Sequence, residues 1–168
     1  MPTDTLANLP PRTDVFLDSN IFIYAFTLAS TECADLLARC ARGEVFGVTS
    51  HEIVNEVTHR LMLFEAYKKG LISKPRADEL KGKPNVVRTL TDYWGQVLKI
   101  LDLGLTVLPT EESTLSRAQI VRTAHGLMTL DSVVVATMED YGIQHIATHD
   151  SDFERVISFT VFRPTDIT

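Results

Sequence analysis

The sequence predicts an α/β fold: three layers, α/β/α, around a mostly parallel central sheet of about five strands. Three observations predict it. Short apolar runs alternate along the chain with helical patterns, as strand–helix–strand units require. The strand runs are apolar at successive positions, which fits strands buried on both faces. At 168 residues the chain also suits one compact domain with one core.

Residues 1–12, ending in "LPPR", read as a flexible tail before a single domain at 13–168. "DVFLD" (14–18) is a buried strand, followed by a short helix at 19–26. "STECADLLARCARGE" has a Ser or Thr cap, apolar residues at 33, 36, 37 and 40, and Gly43 as a stop, so it reads as an amphipathic helix. "EVFGVTS" is the second strand, and "SHEIVNEVTHRLMLFEAYKKG" is a long helix closed by Gly70. A loop rich in Gly, Pro and Lys runs to about residue 86. "VVRTLTDYWGQVLKILDLG" is another helix, ending at Gly104, and "LTVLP" is a strand stopped by Pro109. Helices at about 112–124 and 129–141, the strand "QHIAT", a short helix after Asp150 and the strand "FTVF" complete the chain. In such sheets ligands bind beyond the carboxyl ends of the strands.

Composition narrows the function. The longest apolar run, "IFIYAF" (21–26), is far short of the roughly 20 residues that cross a bilayer. The N-terminal stretch lacks the basic and apolar regions of a secretory signal, so a cytoplasmic protein without a membrane role is expected. Cys33 and Cys40 lie about 10.5 Å apart along one helix, beyond the roughly 7 Å a disulfide tolerates, and are expected to be free, buried thiols. The net charge of −6 is the reverse of a nucleic-acid binder's basic footprint. Yet residues 68–88 carry seven of the sixteen Lys and Arg residues, so this segment is either a solvated loop or a basic arm for an anionic partner.

Acids stand at the expected strand and helix ends. Asp18 closes the first strand in "FLDSNIFIY", and Asp150 follows a late one in "IATHDSDF". Either alone could simply cap a helix, and "SDFE" (151–154) is a capping-box pattern. Asp131 lies on the stripe of Leu127, Leu130, Val134, Val135 and Met138, apart from Ser132, Glu139 and Asp140. A buried carboxylate there is costly unless paired, neutralised or metal-bound, although a helix's first turn also favours an acid. Thr49 and Glu52 form a capping box that explains Glu52. Glu56, at the rim of the Ile53, Val57, Leu61 and Phe64 stripe, has no such explanation, with Arg60 as its possible ion partner. If Asp18, Glu56, Asp131 and Asp150 converge, they cannot all stay ionised without a cation. Hard oxygen ligands suit Mg²⁺ or Mn²⁺, and such a site activates water for phosphodiester hydrolysis.

These segments resemble the PIN-domain family of nucleases. "VFLDSNIFIYAF" resembles its opening motif, "VTSHEIVNEV" the segment with its helical Glu, and "HGLMTLDSVVVATMEDYGIQHIATHDSDF" its carboxyl half; together they span about residues 13–163. The resemblance implies a PIN-like fold with Asp18, Glu56, Asp131 and Asp150 as catalytic, metal-binding acids. Asp152 becomes an optional ligand, and Ser19, Asn20 and Thr148 the polar residues that orient them. It further implies a Mg²⁺- or Mn²⁺-dependent ribonuclease, most often the toxin of a VapBC-type toxin–antitoxin pair. Such a toxin cleaves RNA, is inhibited by a small antitoxin and is commonly a homodimer. Two other readings compete. A catalytically inactive PIN-fold module that binds RNA or protein sits poorly with a complete acid set. A receiver-like phosphorylation module needs a lysine after a late strand, and "ATHDSDF" offers none. His125, His145 and His149 lack zinc-site spacing and read as structural, and Trp94 reads as core.

Overall fold

Among the residues the computed structural model describes, 3–167, six strands form one parallel sheet. They are β1 (Thr3–Thr5), β2 (Asp14–Leu17), β3 (Phe46–Ser50), β4 (Thr106–Leu108), β5 (His145–Ala147) and β6 (Thr160–Arg163). The helices are α1 (Ser19–Phe26), α2 (Thr31–Ala41), α3 (His51–Lys68), α4 (Ala77–Lys81), α5 (Pro84–Val87), α6 (Asp92–Asp102), α7 (Glu112–His125) and α8 (Thr129–Asp140).

The sixth strand is β1, which lies in the stretch read as a flexible tail. Thr3, Asp4 and Thr5 pair with Val161, Phe162 and Arg163 of β6. Leu6 and Leu9 are buried behind them, and Arg39 of α2 donates to both their carbonyls, at 3.2 and 2.5 Å. A three-residue polar strand, "TDT", has no apolar periodicity, so only its long-range partners reveal it. Met1 and Pro2 of that tail lie outside the described residues.

Strand order is β1-β6-β5-β2-β3-β4. From β2 the chain winds outward to β3 and β4, then returns to the other side of β2 to lay down β5 and β6. The order therefore reverses between β2 and β5, where Phe16 and Leu17 face Ile146 and Ala147. This is the switch point at which doubly wound sheets form their crevice. On the two strands that flank it, Val15, Phe16, Leu17, Ile146 and Ala147 are fully buried. Cys33 and Cys40 are free and buried, as expected. Among the described residues no single helix is long and apolar enough to cross a membrane.

The segment read as a loop is ordered. It contains α4 and α5, and Leu63, Ala66, Ile72, Leu80 and Leu90 form a second hydrophobic cluster there. Glu65 ties this excursion to the body: its buried carboxylate accepts from the Thr91 and Tyr93 N–H groups (3.0 and 2.8 Å) and from Lys69 Nζ (2.6 Å). The next helix consequently begins at Asp92 rather than near residue 86. Trp94, expected in the core, is 49% exposed on that helix. Glu65→Ala strands two backbone donors and is expected to destabilise the protein by about 2 kcal/mol. A urea midpoint equal to that of the parent would contradict this role.

Candidate active site

The chain beyond β2 turns into α1 at Asp18, whose buried carboxylate is the N-cap of that helix. Its Oδ1 accepts from the Ser19 N–H at 2.6 Å; its Oδ2 accepts from Asn20 Nδ2 and from the Thr148 hydroxyl, each at 2.6 Å. Thr148, fully buried at the end of β5, also accepts from Asn20 Nδ2 (3.0 Å) and from the Asp150 N–H (2.9 Å). One donor and two acceptor positions saturate this hydroxyl. Asn20 completes the link by accepting from the His149 N–H at 3.0 Å. The ends of neighbouring strands β2 and β5 are thus joined by side chains from "DSN" and "THD". Arg163 of β6 braces the turn by donating to the His149 carbonyl, and pairs with Glu154 at 2.6 Å.

Asp18, Ser19, Asn20, Glu56, Asp131 and Asp150 line one cavity of about 410 Å³, with Ile23, Tyr24, Arg60, Leu130 and His149. Glu56 comes from α3, which follows β3, and Asp131 from the first turn of α8, which precedes β5. The sequence and the structure therefore place the same four acids together, each from a different element. Burial pushes the Asp18 carboxyl up to about 6; the Thr148 hydroxyl and Ser19 N–H oppose this, while the charges of Glu56 and Asp150 add to it. Burial likewise pushes Asp131 to about 6, reinforced by Asp150, Asp18, Asp152 and Glu56 in turn. Excess negative charge is what a cation site needs before it is loaded.

The family follows from the whole chain. A family model for the PIN domain matches residues 15–157. The chain belongs to the PIN-domain family. No curated protein matches it significantly in sequence. Its fold resembles VapBC2 from Rickettsia felis bound to a promoter DNA fragment, at 13% identity and TM-score 0.58, covering 90% of this chain and 99% of that one. It also resembles a toxin–antitoxin complex from Klebsiella pneumoniae (15%, TM-score 0.56, 87% and 95% covered). A third similar structure is Mycobacterium tuberculosis VapC20, a sarcin–ricin loop cleaving toxin (13%, TM-score 0.54, 84% and 94% covered).

Several details of this PIN domain differ from the sequence reading. The cap of α3 is Ser50, which accepts from the Ile53 N–H, while Thr49 donates to the Leu17 carbonyl. Glu52 is therefore not held in a Thr49 capping box, and its Oε2 is buried without a partner among the described residues. The short helix after Asp150 is a 3-10 turn, Asp152–Arg155, that Ser151 does not cap through its side chain. Instead Asp150 Oδ1 accepts from the Asp152 N–H at 2.8 Å. Asp152 pairs with Arg155 at 2.8 Å and does not line the cavity. Ser132, read as lying off the apolar stripe with Glu139 and Asp140, is fully buried and accepts from Arg122 at 2.8 Å, because α8 is packed nearly all round from Ser132 to Met138. Arg60 forms no ion pair with Glu56. His149 is the lining residue that spacing rules for zinc passed over; its place beside Asp150 was the available clue. Its ring packs edge-on against Tyr24, centroids 5.7 Å apart.

As they stand, no three His, Cys, Asp or Glu side chains among the described residues converge closely enough to enclose a metal ion. The donor set nonetheless fits Mg²⁺ or Mn²⁺, which are held through one or two carboxylates, with waters and substrate phosphates as further ligands.

The raised carboxyls have a pH signature. A group whose pKa is higher in the folded state binds more protons there, so its ionisation lowers stability as pH rises from about 4 to about 6. Asp131→Asn removes that contribution. In EDTA, the stability of Asp131→Asn relative to the parent is expected to grow across this interval and level off above it. Parallel stability curves from pH 4 to 7 would refute the assignment.

Proposed function

We propose that this PIN domain is a Mg²⁺- or Mn²⁺-dependent endoribonuclease that serves as the toxin of a type II toxin–antitoxin pair. The observation that carries this reading is that four acids, from four parts of the chain, line one cavity at the sheet's switch point. Asp18, Glu56, Asp131 and Asp150 are the residues that would hold the cation. A divalent ion there supplies charge neutralisation for the phosphodiester and an activated water. The chain's own part is positioning. Thr148 and Asn20 fix the Asp18 and Asp150 turns relative to each other, and Ser19 holds Asp18 through its backbone N–H. Asp152 joins as a ligand only by giving up Arg155.

The toxin role is supported by the similar structures, which are described as VapBC2, a toxin–antitoxin complex and a toxin that cleaves the sarcin–ricin loop. By that likeness the substrate is RNA and the inhibitory partner a small antitoxin. An apolar groove lined by Ala25, Phe26, Leu37 and Leu103 suits such a partner or a second copy in a homodimer. A cytoplasmic site of action belongs to the same reading.

The purified protein, free of any partner, is expected to cleave labelled structured RNA with Mg²⁺ or Mn²⁺ and not with EDTA. Asp18→Asn and Asp150→Asn should each lower the rate by more than about 100-fold, since even residues behind the ligands cost 10- to 100-fold. Full metal-dependent cleavage by folded Asp18→Asn would sink the proposal.

A further inference from the structure

We propose that Arg60, Phe64 and Lys68, continued by the basic 68–88 excursion, form a track that guides a single-stranded RNA segment into the acidic cavity. This rests on the ribonuclease reading and adds where the substrate lies. Glu56, Arg60, Phe64 and Lys68 are spaced by four along α3, so they form one ridge. At 1.5 Å per residue it runs about 18 Å. Glu56 and Arg60 line the acidic cavity. Phe64 and Lys68 line the adjoining cleft of about 320 Å³, beside Phe26, Leu61 and Tyr93. Both clefts are lined by residues of α1 and α3, so the α3 ridge leads from the acids toward the excursion.

The side chains suit a nucleic-acid strand. Arg60 and Lys68 are exposed and have no carboxylate partner among the described residues. In contrast, Lys69 is engaged by Glu65 and Asp92, and Arg76 by Asp78. Phe64, 38% exposed between the two cations, offers a ring face on which a base can stack. Alternating cations and aromatics is the pattern of sequence-tolerant single-strand binding. Charge points the same way. Residues 68–88 hold seven basic and two acidic side chains, a net of +5, which leaves −11 for the rest of a chain of net −6. A polyanion is repelled by the rest of the chain and attracted here. The second hydrophobic cluster and the Glu65 clamp keep this charge in a fixed place, with Lys74 and Lys81 exposed on it.

The test is fluorescence anisotropy of a labelled single-stranded oligouridylate in EDTA, where affinity is read without cleavage. The Arg60→Gln/Lys68→Gln double variant should bind at least about tenfold more weakly, with a log–log salt slope shallower by about 1.4 for two lost phosphate contacts. Phe64→Ala should weaken binding about fivefold or more at an unchanged salt slope. Arg42→Ala, on a distant exposed cation, should bind like the parent. Circular dichroism establishes that each variant is folded, and Phe64→Leu replaces Phe64→Ala if the latter is not. Unchanged affinity and slope in the ridge variants would overturn the track and assign the cleft to a protein partner. Ridge-dependent binding without cleavage in metal would uphold the track and count against the nuclease reading alone.

Discussion

The arrangement depends on one hydrogen-bond unit, in which the buried Asp18 carboxylate and Thr148 hydroxyl and the half-buried Asn20 amide join the ends of β2 and β5. These strands are neighbours in the sheet and distant in sequence. Nothing local brings them together; the apolar burial of Val15 to Leu17 against Ile146 and Ala147 does. Once paired, their carboxyl ends present polar groups that must be satisfied away from water. Thr148 meets that demand with all three of its positions and in doing so sets Asp150 relative to Asp18. Removing the hydroxyl would leave a buried carboxylate oxygen and a backbone N–H short of a partner, and would loosen the two turns together.

Around this fixed pair the other acids are placed by helices. Asp131 enters from the start of α8 and Glu56 from the second turn of α3. The chain thereby concentrates negative charge in a half-open cavity, at a cost that shows in the raised carboxyls of Asp18 and Asp131. Such a cost is tolerated where a cation offsets it. The excursion between α3 and α6 has the opposite charge and its own small core. In the proposed track, acidic centre and basic flank act together: the net −11 of the rest of the chain repels a polyanion, and the +5 of residues 68–88 attracts one.

The fold was legible wherever periodicity or continuous burial marks an element. β2, β3, β5 and β6 are short apolar runs, and α2 and α3 carry clear apolar stripes. β1 was not legible, because "TDT" has no pattern apart from its pairing with β6. The order in α4 and α5 was hidden by Gly, Pro and Lys, whose loop tendency is overridden by Leu80, Leu90 and the Glu65 clamp. Of the site, the four acids and Asn20 and Thr148 could be proposed because strand ends and motif order locate them. Arg163 could not, since it reaches the site from β6 to brace a backbone carbonyl. Ser50 rather than Thr49 caps α3, a one-residue difference that local sequence does not resolve.

We propose that the four carboxylates form a site for a divalent cation. Calorimetric titration of the protein with Mn²⁺, at pH 6 and pH 8 in buffers of differing ionisation enthalpy, tests it most directly. Saturable binding is predicted, with protons released at pH 6, where Asp18 and Asp131 are part-protonated, and not at pH 8. Asp131→Asn should weaken binding and reduce the proton release. No saturable heat at either pH, from protein shown to be folded, would contradict the account.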